Sequence, residues 1–119
     1  MMKMQEIKAF VPARDFELSR RFYLDLGFEI PWQDEQLAYV RYQHCSFLLQ
    51  NAYVEAHARN CVMHCLMDGV DDWHAILSQK QLAKTYGVQL SDLENQPWGM
   101  REFTLTDPSG VLWRIAQNQ

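Results

Sequence analysis

Apolar and polar residues alternate along this chain at two periods, and the two periods follow one another in the same order twice. Over residues 5–11, Ile7, Ala9 and Val11 recur at every second position, the period of a half-buried strand. Pro12 ends that strand, because proline withholds a ladder donor. Asp15 stands where a helix N-cap belongs, its carboxylate able to accept orphan amide donors. Phe16, Ser19, Phe22, Tyr23 and Leu26 follow at helical spacing, and Gly27 occupies the usual terminal position. Strands are then predicted over 28–32, 37–42 and 46–50, with a polar turn at 33–36 and a hairpin connection at 43–45.

Residues 52–60 read as a polar connector, after which the order begins again. A strand is predicted over 61–67 and a helix over 70–86, carrying Trp73, Ile76, Leu77 and Ala83 and closed by Gly87. A short strand at 88–90, a loop at 91–99 and strands over 101–106 and 111–116 complete the chain. Asp107-Pro108-Ser109-Gly110 is a strong turn signal: proline presets one central angle and glycine accepts a positive one. The chain thus reads as one domain, 1–119, built from two βαβββ modules, 5–51 and 61–117. Phe47-Leu48-Leu49-Gln50-Asn51 lies over Arg114-Ile115-Ala116-Gln117-Asn118 in the letter match between them. The fold class is α+β, with the tandem modules forming a curved mixed sheet, since half a module cannot bury its apolar face alone.

Composition narrows the function. The chain has 119 residues, 48% of them hydrophobic and 22% charged, ordinary for a globular protein. No apolar run is long enough to predict a membrane span, and the first residues lack the pattern of a secretory signal. Cys45, Cys61 and Cys65 form no CxxC pair and read as reduced thiols, so a cytoplasmic location is expected. The net charge is −4, and the only basic cluster, Arg20-Arg21, falls on a helix. That composition speaks against nucleic acid as a partner.

Two segments carry a resemblance. The first runs from Pro12 through Asp15-Phe16 and Phe22-Tyr23 to Leu26-Gly27-Phe28. The second runs from Trp98-Gly99 through Asp107-Pro108-Ser109-Gly110 to Arg114. At these spacings the chain resembles the vicinal oxygen chelate superfamily of glyoxalases, bleomycin-resistance proteins and extradiol dioxygenases. The bleomycin-resistance proteins are the nearest in pattern, through the Arg14-Asp15-Phe16 entry to the first helix and Arg114 in the last strand. The resemblance implies a homodimer with its site at or near the interface. In the enzymes it implies a divalent metal held by histidine, glutamine and glutamate from the first and last strands of each module. Those positions fall here on Lys8, Phe47, Val62 and Arg114. Lysine and arginine repel a cation, and valine and phenylalanine have no donor. A slip of one residue brings in Ile7, Leu48, Cys61 and Trp113, of which only the cysteine could ligate.

The resemblance therefore implies a metal-free protein with no cofactor and no catalytic residues, one that sequesters an antibiotic or metabolite, as bleomycin-resistance proteins do. The alternative is a metal-dependent lyase, isomerase or dioxygenase with displaced ligands drawn from His64 and Glu102. A third reading is an interaction protein whose groove a partner chain fills. For a small-molecule ligand the candidate contacts are Trp32, Tyr39, Phe47, Trp98 and Phe103, an aromatic wall, with His64, Lys8 and Arg114 supplying polar groups. His64 shares a strand face with Val62. Two uses are open to Lys8 and Arg114: recognising an anion, or pairing with a carboxylate such as Glu102 or Glu29, which the cost of burying a lone cation favours. Trp113, the aromatic of the last strand, reads as core.

Overall fold

The computed structural model describes residues 1–119. In chain order its elements are β1 (Phe10–Pro12), α1 (Phe16–Leu26), β2 (Glu29–Gln33), β3 (Leu37–Tyr42), β4 (Cys45–Gln50), α2 (Glu55–Asn60), β5 (Val62–Leu66), α3 (Val70–Gln79), α4 (Leu82–Tyr86), β6 (Glu94–Asn95), β7 (Met100–Thr106) and β8 (Leu112–Asn118). They form two four-stranded sheets of the same plan, β1-β4-β3-β2 and β5-β8-β7-β6. In each, the first strand pairs in parallel with the last, and the remaining pairings are antiparallel.

Local signals account for most of these boundaries. The Asp15 carboxylate accepts from the Leu18 amide at 3.1 Å, capping α1. Gly27 ends the helix at φ 105°, and the Gly27 and Phe28 amides donate to the Leu24 and Tyr23 carbonyls. Only a residue without Cβ takes that angle cheaply. Gly110, at φ 90°, does the same in the turn that joins β7 to β8.

Four expectations need correction. The first strand is three residues long rather than seven: Ile7 has the parity of buried Val11 but is 81% exposed. The polar connector contains α2, which has no apolar stripe to betray it; it buries only Ala58 and carries an Arg59–Glu55 ion pair of 2.8 Å. The expected helix over 70–86 is broken into α3 and α4 at Gln81, whose φ is 53°. Leu77 and Leu82 are both buried, yet residues five apart lie about 140° apart around a continuous helix. The break returns Leu82 to the core side. The strand expected at 88–90 is a single bridge, Leu90 to Leu105, and the loop after it holds the two-residue β6.

The two sheets share one core. Phe22 and Tyr23 of α1, Phe47 and Leu49 of β4, Leu77 of α3, Phe103 and Leu105 of β7 and Trp113 and Ile115 of β8 are all buried in it. The Tyr23 ring meets Phe47 at 5.0 Å and Trp113 at 5.8 Å, while Phe47 and Trp113 meet each other at 5.4 Å. Such pairs contribute roughly 0.5–1.5 kcal/mol each beyond the area they bury.

A polar joint runs through the same place. Tyr23 donates to Asp107 Oδ2 at 2.6 Å and accepts from Trp113 Nε1 at 3.0 Å. Asp107 Oδ1 accepts from the Ser109 and Val111 amides at 2.8 and 2.9 Å. Ser109 Oγ accepts from the Arg14 amide at 2.9 Å. One side of each sheet is therefore committed to the core, and the opposite sides face outward.

Candidate functional site

Strand parity decides which side chains the outward faces present, because alternate residues point to opposite sides. On the first sheet, Phe10, Leu48, Tyr39 and Trp32 are in register across all four strands. Phe10 and Trp32 are 47% and 51% exposed, so this row is an open apolar and aromatic stripe. Beside it, Lys8 Nζ sits 2.8 Å from Glu6 Oε2 and 5.2 Å from the Tyr39 ring centroid. Glu6 also accepts from Tyr39 Oη at 3.1 Å and from Ser46 Oγ at 3.0 Å. The hydrogen bonds from Lys8 and then Ser46 hold its carboxyl below the ordinary glutamate value. Arg41 approaches the same ring at 5.9 Å and pairs with Glu29 at 3.4 Å.

The second sheet's outward face differs. The row equivalent to Phe10–Leu48–Tyr39 is His64–Arg114–Thr104. Arg114 pairs with buried Glu102, Nη2 lying 3.0 and 3.2 Å from its two oxygens. The guanidinium also lies 5.4 Å from the Trp98 ring centroid. Trp98 itself is 55% exposed. Thr104 also lines an open depression with Ala83, Gln89, Leu90, Thr106 and Leu112, to which Glu102, Arg114 and Trp98 do not contribute.

Of the expected site residues, Trp32, Tyr39 and Lys8 lie on the outward side of the first sheet, and His64, Arg114 and Trp98 on that of the second. They do not form one groove within the chain. Phe47 and Phe103 are corrected: at 2% and 1% exposure they point into the core, Phe103 against Trp73 and His74. Parity explains both, since each neighbours an outward residue, Leu48 and Thr104 respectively.

Phe47 also loses its place in the match between modules. β1 ends at Pro12, opposite Gln50, and β5 at Leu66, opposite Ala116, each four residues before a helix begins. Leu48 is therefore the counterpart of Arg114, and Phe47 that of Trp113. The letter match was one residue out. Sequence reasoning missed Glu6 and Arg41. A period-two extension from Lys8 and Tyr39 would have found both.

Metal ligation can be tested on the donors present. The equivalent positions hold Lys8, Leu48, Val62 and Arg114: two cations already paired with carboxylates and two hydrocarbon chains. No cluster of three histidine, cysteine or carboxylate side chains could hold an ion. These residues do not fit a divalent metal. Burial pushes the Cys61 and Cys65 thiols above their ordinary value, away from the reactive thiolate. No helix is long and apolar enough to cross a membrane.

Comparison with known proteins gives the same architecture. A bleomycin-binding protein from bleomycin-producing Streptomyces verticillus, solved with copper(II)-bleomycin, superposes with a TM-score of 0.82 at 24% identity, covering 100% of both chains. An antibiotic-binding protein from a Streptomyces species gives 0.78 at 22%, again over 100% of both. A lactoylglutathione lyase from Agrobacterium tumefaciens gives 0.71 at 16%, covering 97% of this chain and 95% of that one. No curated protein matches the sequence. The model of the Glyoxalase/Bleomycin resistance protein/Dioxygenase superfamily matches residues 7–115, and the chain belongs to that superfamily.

Proposed function

We propose that this protein binds a small molecule without metal or catalysis, sequestering an antibiotic or metabolite in the cytoplasm. One observation carries the reading. Where an enzyme of this fold needs metal ligands, the two candidate cations are each bound to a carboxylate, Lys8 to Glu6 at 2.8 Å and Arg114 to Glu102 at 3.0 Å. Their partners Leu48 and Val62 have no donor atoms. The fold is shared with proteins solved as binders of bleomycin and of an antibiotic, and what those bind is here an analogy.

The ligand surfaces in this reading are the outward faces. Each is open on its own, so a homodimer supplies the missing wall: the aromatic face of one chain opposes the polar face of its partner. The contacts assigned to ligand are Trp32, Tyr39 and Lys8 on the first face, and His64, Arg114 and Trp98 on the second.

Incubation with iron(II), manganese, nickel and zinc, then desalting and elemental analysis, tests the metal-free state. The expected content is far below stoichiometric; about one equivalent per chain would put the metalloenzyme reading first. Equilibrium sedimentation is expected to show a dimer, and a monomer alone at high concentration would remove the composite site.

A further inference from the structure

Both outward faces repeat one arrangement: a carboxylate, a cation bound to it, and an aromatic ring under the cation. Glu6–Lys8–Tyr39 is one instance, with Lys8 Nζ 5.2 Å from the ring centroid. Glu29–Arg41–Tyr39 is a second, at 5.9 Å. Glu102–Arg114–Trp98 is the third, at 5.4 Å. The half-buried ring of Tyr39 and the exposed ring of Trp98 are thus already engaged by cations, and those cations are already neutralised.

We propose that these faces select an uncharged, flat aromatic ligand and disfavour both cations and anions. The inference rests on the small-molecule reading above and names the ligand class for the same surfaces. An aromatic ring attracts a cation through the negative potential over its face. At Trp98 that potential is spent on Arg114, so a second cation loses hydration for a reduced return. An anion fares no better. To make a bidentate pair with Arg114 it must displace Glu102, whose buried carboxylate already takes Nε and Nη2 and is costly to strip of its partner; the remaining Nη1 lies beside that negative charge. Stacking and apolar contact remain available on the exposed part of Trp98 and along Phe10, Leu48 and Trp32, and neither requires charge.

Three probes with one ring system separate these contributions: 2-naphthol, a 2-naphthyl trimethylammonium salt and naphthalene-2-sulfonate. Binding is read from indole Nε1–H signals in ¹H–¹⁵N spectra, with Trp98 assigned by its loss in Trp98→Phe. The uncharged probe is expected to shift the Trp98 signal at concentrations about tenfold lower than the cation requires. In Arg114→Met/Glu102→Gln, which removes both charges together, the cation should gain and the gap should close; the same spectrum reports whether the variant is folded. Cation binding as tight as that of naphthol in the wild type would overturn the inference while leaving small-molecule binding intact. Tighter binding of the sulfonate would do the same, by showing that Arg114 is open to ligand. No response from any tryptophan to any probe would overturn both readings.

Discussion

The single hydroxyl of Tyr23 serves two buried groups at once, donating to Asp107 and accepting from the Trp113 indole. Tyr23→Phe keeps the ring and its aromatic contacts but leaves Asp107 Oδ2 and Trp113 Nε1 without a partner, while Asp107 Oδ1 keeps its two amide donors. A buried polar group left unsatisfied costs about 1–3 kcal/mol, so the variant should lose about 2–4 kcal/mol in urea denaturation. Asp107 adds a pH dependence. Burial pushes its carboxyl above 3.8, outweighing the hydrogen bonds from Tyr23 and the turn amides. The folded chain therefore holds that proton more tightly than the unfolded one. This contribution is complete below about pH 3.8 and fades as pH rises through the elevated folded value. The urea midpoint of the wild type, compared with that of Asp107→Asn at each pH, should fall across that window and level off above it. A flat difference would show that the carboxyl titrates alike in both states.

Among the elements, the broken helix offers the sharpest test. Gln81 takes a left-handed φ of 53° so that both Leu77 and Leu82 reach the core. Side chains with a Cβ are strained there, and glycine is not. Gln81→Gly should therefore stabilise the fold by about 0.5–1 kcal/mol, measured by thermal or urea unfolding, whereas the same change inside α3 should destabilise it. The break was not legible in the sequence, because the apolar spacing through residues 70–86 fits a continuous helix almost as well. The strands were legible, and their facing was not. Shifting a strand by one residue exchanges its two sides; the burial of Phe47 and Leu49 fixes Leu48 as the outward residue, and the pairing of Pro12 with Gln50 and of Leu66 with Ala116 fixes it as the counterpart of Arg114. The ion pairs of Lys8 and Arg114 could be anticipated from the cost of a lone buried cation. Their lodging over Tyr39 and Trp98 could not, since it depends on side chains brought together from separate strands and a loop.

At the scale of the whole molecule, the segments that reveal the family by pattern are the ones that join its halves. Phe22-Tyr23 on α1 and Asp107 and Ser109 of the turn before β8 are buried in the core rather than on the outward faces. They identify a way of docking two modules and leave the outward chemistry free to vary, which is why the fold could be read from the sequence more fully than the ligand. The joint also bears on time. Tyr23 and Asp107 are 84 residues apart in sequence, whereas each sheet closes its hairpins between neighbouring strands. Closing so long a loop costs more chain entropy than closing a local ladder, so the joint is expected to form after the ladders. Interactions made after the rate-limiting step leave the speed of folding alone and act on the speed of unfolding. Tyr23→Phe is therefore expected to shorten the lifetime of the folded molecule while leaving its refolding rate nearly unchanged, which stopped-flow unfolding and refolding would check.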